Sequence, residues 1–136
     1  MPELAALFAA ASLGAMLFFS IFTAPTVFRV LTEEDGGRLL RAVFPKYFMA
    51  NGVLALAAGL AAARPLESTI FALCGAAMLA IRFFAIPTIN AARDAMVAGD
   101  IQAAERFASW HRGAVIVNSV EMLALTGAIS LLLTST

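Results

Sequence analysis

The chain has 136 residues, 62% of them hydrophobic and 13% charged, with a formal net charge of zero. So apolar a composition on so short a chain excludes a soluble globular domain, because too few charges remain to cover the surface. A neutral balance without runs of like charge excludes nucleic acid as a partner, and the single cysteine, Cys74, excludes an internal disulfide.

The bilayer is the natural solvent for this chain. A helix crosses hydrocarbon with about 20 apolar residues, and the sequence holds four segments of that kind. The expected fold is all-α: a four-helix transmembrane bundle in one integral membrane domain, residues 1–136. The uncharged run Leu4–Phe28 exceeds the roughly 7–15 residues of a signal-peptide core and lacks a basic n-region, so it reads as the first span.

Helix one is expected over about 4–31. Ala6, Ala10 and Gly14 fall four apart on it, a small-residue face suited to close packing. Pro25 removes a backbone donor and should kink it near its end. Residues 32–37, with Glu33, Glu34, Asp35 and two glycines, read as a solvated turn. Arg38–Phe44 reads as a short interfacial helix, and Pro45 then opens helix two, over 45–63. Ala55, Gly59 and Ala63 give that helix its own small face. Arg64–Pro65 is a turn. Helix three is expected over 66–96; its uncharged part, Ser68–Ile81, is 14 residues long before Arg82 interrupts it. Ala98–Gly99–Asp100 is a turn, and helix four follows over 101–133, interrupted by Glu121.

The basic residues orient the bundle. Arg29, Arg38, Arg41 and Lys46 surround the first connection, and Arg93, Arg106 and Arg112 the third. The positive-inside rule puts both connections in the cytoplasm and both termini outside, with Tyr47 and Trp110 as anchors at the inner interface.

The two halves echo one another. Phe22, Pro25, Thr26 and Gly37 recur 62 positions later as Phe84, Pro87, Thr88 and Gly99. Phe44 and Tyr47 match Phe107 and Trp110 at an offset of 63. The bundle is therefore expected to consist of two repeated helical hairpins, about 1–63 and 64–136. Two helices per repeat preserve orientation, which makes the repeat parallel. Function is expected where the halves differ: Ser20 against Arg82, and Phe48 against His111.

A charge at the bilayer centre costs about 2.5–3.5 kcal/mol, so Arg82 and Glu121 each need a partner or a wet cavity. At 1.5 Å per residue Arg82 lies about 21 Å from one end of helix three, and Glu121 about 18 Å from the opposite end of helix four. That similar depth predicts an Arg82–Glu121 pair, with Asn118 as a bridge and Asn51 and Asn90 in a polar layer below. The two charges are open to three readings: a structural lock between helices, a polar pocket for an anion, proton or small solute, or snorkelling with no specific partner. Asn90 is also placed to bond backbone loosened by Pro87. Cys74, Met78 and Met122, with His111, are the weaker candidates for a soft metal. No motif specifies a cofactor. With no GxSxG, Walker loop or HExxH motif, the expectation is a protein without catalysis.

The runs FFSIFTAPTVFRVL, GGRLLRAVFPKYF and WHRGAVIVNSVEML together resemble the bacterial relatives of the TMEM205-like family, the DUF4149 type. The resemblance implies a four-helix integral protein of the bacterial inner membrane, and it points to handling of a soft metal complex. A more distant similarity is to CopD-like copper or haem proteins, although the single histidine departs from that pattern: a six-coordinate haem needs a second ligand. The rival to a solute-handling protein is an accessory subunit of a larger membrane complex. Besides the lipid bilayer, the expected partners are then a second copy or another membrane subunit, docked on the two small-residue faces.

Overall fold

The computed structural model of the protein describes residues 2–134, which are helical throughout apart from short connections. Four helices follow one another: α1 Pro2–Val30, α2 Glu33–Ala61, α3 Pro65–Val97 and α4 Ile101–Thr134. Even the shorter two, at 29 residues, extend beyond about 40 Å at 1.5 Å per residue. The hydrocarbon layer they must cross is about 30 Å thick. No more than 39% of the most apolar stretch of any of them is buried in the bundle. Leu7, Phe18, Ile21, Phe22, Phe83, Phe84 and Leu123 all face outward. Such a surface is satisfied by lipid, and the chain is an integral membrane protein.

The helices form a ring in which α1 packs on α2 and α4, and α3 packs on the same two. The tightest seam is α2 against α3. Gly52 and Gly75 lie back to back there. A Cβ on Gly75 would come within 2.9 Å of the Gly52 carbonyl oxygen, and one on Gly59 within 3.1 Å of that of Ser68. Ser68 fastens the seam by donating its hydroxyl to the Gly59 carbonyl at 2.8 Å.

Three expectations change. α2 does not begin at Pro45; it starts at Glu33, so the expected turn and interfacial helix are its first three turns. The cause is a cap. The Thr32 side chain accepts from the Asp35 backbone N–H at 3.1 Å, and Glu33, Glu34 and Asp35 complement the positive helix end. Pro45 lacks only one donor, and the helix runs through it. Second, the small faces divide. Ala55 and Gly59 are buried against α3 and are not docking surfaces, whereas Ala63 lies past the helix end. On α1 the interior stripe is Ala5, Ala9, Ser12 and Met16, offset by one or two positions from the expected Ala6/Ala10/Gly14, so Ala10 and Gly14 point outward.

Third, the kink expected at Pro25 takes the form of a wide turn, one that recurs at Pro87, and both helices continue as expected. A π-helical turn, Phe19–Thr23, precedes Pro25, and another, Ile81–Ala85, precedes Pro87. The Ala24 N–H bonds to the Phe19 carbonyl and the Ile86 N–H to that of Ile81, each five residues back. The wide turn takes up the register that a proline disturbs, and it bends the helix locally. Phe19 and Ile81 are 62 positions apart, the offset that also separates the two prolines.

Gly99, with φ 97°, turns the chain from α3 into α4 in the left-handed region, where only glycine is unstrained. Asp100 then caps α4. Its carboxylate accepts from the Gln102 and Ala103 backbone N–H groups at 3.0 and 3.3 Å and binds Arg106 at 2.9 Å. The Arg106 guanidinium holds the Asp100 carboxyl below the usual carboxylate range. A lowered folded-state value means that the cap's contribution is complete above the unfolded value and disappears as pH falls through the folded one. Protection of the Gln102 and Ala103 amides, taken relative to the intrinsic exchange rate at each pH, is therefore expected to persist at neutral and mildly acid pH and to fall in stronger acid. In Asp100→Ala it should be low throughout; equal protection in the variant at neutral pH would contradict the cap.

Candidate functional site

A run of polar side chains crosses the middle of the bundle. Ser12 on α1 donates its hydroxyl to the Asn51 side-chain oxygen on α2 at 2.9 Å. Asn51 donates its side-chain amide to the Tyr47 carbonyl, one turn back, at 2.9 Å. The Tyr47 hydroxyl donates to the Asn118 side-chain oxygen on α4 at 3.0 Å, spanning the ring, with Ser20 as a further hydrogen-bonding neighbour. Ser12 and Asn51 are almost wholly buried, at 0% and 1% exposed. One turn beyond Asn118 lies Glu121, 4% exposed, whose two carboxyl oxygens have no hydrogen-bond partner.

A cavity of about 340 Å³ opens beside this run. Its walls are aromatic and aliphatic: Phe19, Phe28, Phe44 and Phe48, with Leu40, Ile86 and Ile89. Six polar side chains reach it from all four helices, namely Ser20, Tyr47, Asn90, His111, Asn118 and Ser119. The aromatic wall is locked by its own contacts. Phe19 lies 4.7 Å from Tyr47 and 5.5 Å from Phe44, and Phe48 meets Tyr47 edge-on at 4.9 Å. His111 is fixed by stacking on Phe107 at 5.7 Å. Both π-helical turns serve the cavity, since Phe19 and Ser20 lie in the first and Ile86, Ile89 and Asn90 just follow the second.

At the connection end a charged belt closes the bundle. Arg41 on α2 grips Asp94 on α3 through both guanidinium nitrogens, at 2.9 and 2.6 Å, and reaches the Asn90 carbonyl at 3.4 Å. Arg93 reaches back to the Glu33 carbonyl at 3.3 Å.

The expected site residues therefore separate. Asn90 and Asn118 line the cavity, with Met122 and His111 beside them. Asn51 belongs to the buried hydrogen-bonded run. Glu121 is buried as expected but does not meet Arg82. The guanidinium of Arg82 sits 5.2 Å from the Phe83 ring centroid, and no carboxylate among the described residues pairs with it. Met78, Ile81 and Ala85 take the interior positions of α3, which leaves Arg82 at the margin of the bundle. Asn90 does not bond the backbone near Pro87; Thr88 does, donating to the Phe84 carbonyl at 2.7 Å. Cys74 and Met78 are packed in the α3 core, away from the cavity lining. Among the described residues no group of three or more His, Cys, Asp or Glu is gathered to hold a metal.

Ser20 and Phe48 stand where the halves were expected to carry function, whereas Tyr47, Phe19, Phe28 and Phe44 were not anticipated as a site. Tyr47 reads from sequence as an interfacial anchor, yet it is half-buried and bonded across the ring. The spacing of Phe44, Tyr47, Phe48 and Asn51 at i, i+3, i+4 and i+7 puts all four on one face of α2. That stripe carried the signal.

Fold and site together define a four-span integral membrane protein with a polar run inside the bundle and an aromatic cavity beside it. The model of the family described as Domain of unknown function (DUF4149) matches residues 7–98, and the chain belongs to that family. No curated protein matches the chain, and no solved structure does either.

Proposed function

We propose that the protein binds a small, largely apolar solute with one hydrogen-bonding end, held in the aromatic cavity inside the membrane. The observation that carries this reading is the cavity itself: about 340 Å³, walled by phenylalanines, with polar groups from all four helices converging on it. Small-molecule sites commonly have about 300–1,000 Å³, mostly apolar walls and a few placed polar groups. The Tyr47–Asn118 bond and His111 would receive the polar end, and Phe19, Phe44 and Phe48 the apolar body. A soft metal complex, to which the resemblance to TMEM205-like proteins points, finds less support, since of the candidate sulfur ligands only Met122 lines the cavity while Cys74 and Met78 lie outside it. A CopD-like haem site has only His111 to offer.

We infer by the positive-inside rule that the connections at the Arg41–Asp94 end face the cytoplasm, with both termini outside a bacterial inner membrane. The matching π-helical turns at the 62-residue offset support descent of the two hairpins from one unit. The accessory-subunit reading keeps one foothold, the outward Ala10 and Gly14, with open space at Gly14.

Filling the cavity tests the binding reading. Ala114 is one of its half-buried wall residues. Native mass spectra of protein released from nanodiscs should show a small-molecule adduct on the natural chain that is lost in Ala114→Trp. Identical spectra for the two proteins, or no adduct on either, would sink the binding reading. A constant second protein chain in the spectrum would favour the accessory role.

A further inference from the structure

The cavity is walled unevenly. None of its lining residues on α2 or α3 is exposed. On α1, by contrast, Phe28 is 65% exposed, and on α4 Val115 is 51% exposed, with His111 and Ser119 exposed as well. His111, Val115 and Ser119 recur every four residues and form one edge of α4. The helix packing gives the reason. α1 packs on α4 along Pro2–Phe18, and beyond its π-helical turn the two helices part. Ala24 and Ala114 bring only methyl groups to the gap. The cavity therefore opens sideways between α1 and α4, where Phe28 and Val115 meet lipid.

The connection end of this mouth has a basic rim. Arg112 shares the face of Val115 and Ser119 at i, i+3 and i+7, and Arg29 directly follows Phe28. Arg38, Arg41 and Arg106 are each bound by an aspartate, and Arg93 reaches a backbone carbonyl. Among the described residues, Arg29 and Arg112 are exposed and belong to no ion pair.

Resting on the reading that the cavity binds a solute, we propose that this solute is a single-chain fatty acid, which enters from the bilayer between α1 and α4. Its carboxylate meets His111 and Arg112 at the rim, and its chain lies among Phe19, Phe44 and Phe48. The free guanidinium selects a carboxylate through charge-assisted hydrogen bonds. Deeper in, the Tyr47 hydroxyl and Asn118 already bond each other, so the charged end stays at the rim. From His111 to Met122 the cavity runs about 16 Å along α4 at 1.5 Å per residue. A methylene group fills about the space of one water molecule, roughly 30 Å³. The cavity of about 340 Å³ thus holds one chain of about a dozen carbons and not two such chains.

Photolabelling tests this. Dodecanoic acid with a terminal diazirine is added to the full chain in phosphatidylcholine nanodiscs and irradiated. The label is expected at the deep end of the cavity, on Phe48 or Met122, and excess plain dodecanoic acid should suppress it. Arg112→Gln should raise the half-maximal concentration about tenfold, and Arg112→Lys should recover part of that loss. Should Arg112→Gln fail to insert, the diazirine analogue of dodecanol, which lacks the charge, makes the comparison on the natural chain. Equal labelling by the alcohol, or by a diazirine-bearing phosphatidylcholine, would overturn the proposal. So would a label confined to the outward Phe18, Phe22 and Leu123. An adduct that is lost in Ala114→Trp, together with a cavity left unlabelled by dodecanoic acid, would sink the fatty acid and leave the binding reading standing.

Discussion

Gly75→Ala is expected to lower the stability of the bundle, by about 1–3 kcal/mol if it behaves as an overpacked core position. A methyl group there would lie 2.6 Å from Leu56 Cγ and 2.9 Å from the Gly52 carbonyl oxygen. The first atom is a branch point and the second is backbone, so neither can swing aside as a side-chain tip would. The α2–α3 seam must open along its length, which also loosens the Ser68–Gly59 bond. Gain of helix propensity offsets part of the loss, roughly 1 kcal/mol for glycine to alanine. Gly127→Ala isolates that gain, because nothing lies within 4 Å of its new methyl group. Thermal unfolding in one detergent should therefore move in opposite directions, down for Gly75→Ala and level or up for Gly127→Ala. If both rise, the close crossing of α2 and α3 is wrong.

The opposite fates of these glycines show what a sequence can disclose. Length and apolarity settled the four spans, since no other fold hides that much hydrocarbon surface. Spacing alone did not settle which face of each helix turns inward. Ala6, Ala10 and Gly14 recur every four residues, and the observed stripe of Ala5, Ala9, Ser12 and Met16 keeps an equally helical spacing of four, three and four. The choice between such stripes depends on the partner helix. On α2 the small face was legible in place but misread in role, because Ala55 and Gly59 serve an internal seam.

The site was legible in parts for a similar reason. Polar residues in an apolar span announce themselves, and Asn51, Asn90, Asn118 and Glu121 all lie in or beside the polar run and cavity. Pairing them by depth failed. Depth is one coordinate, whereas a contact also needs the angle about each helix axis. Arg82 and Glu121 share a depth, but interior positions on α3 belong to Met78, Ile81 and Ala85. The π-helical turns at Phe19–Thr23 and Ile81–Ala85 alter that angle further. Proline at 25 and 87 signalled a disturbance, but a kink and a wide turn leave the same mark in sequence. Two positions at which the halves differ, Ser20 against Arg82 and Phe48 against His111, did lead to the cavity, through Ser20, Phe48 and His111.

Glu121→Leu is expected to stabilise the protein. The natural carboxyl is shielded from water with both oxygens unbonded. Leaving a buried polar group unsatisfied costs about 1–3 kcal/mol. Leucine has similar bulk and no such need, and it continues the interior stripe of Leu125, Ala128 and Leu132 on the same helix. Glu121→Gln should recover less, because an amide brings its own unmet donors and acceptor. The order of thermal midpoints is therefore leucine, then glutamine, then the natural chain. A leucine variant less stable than the natural chain would mean that the carboxyl already has a partner. A sequence under selection for stability alone would place an apolar residue here.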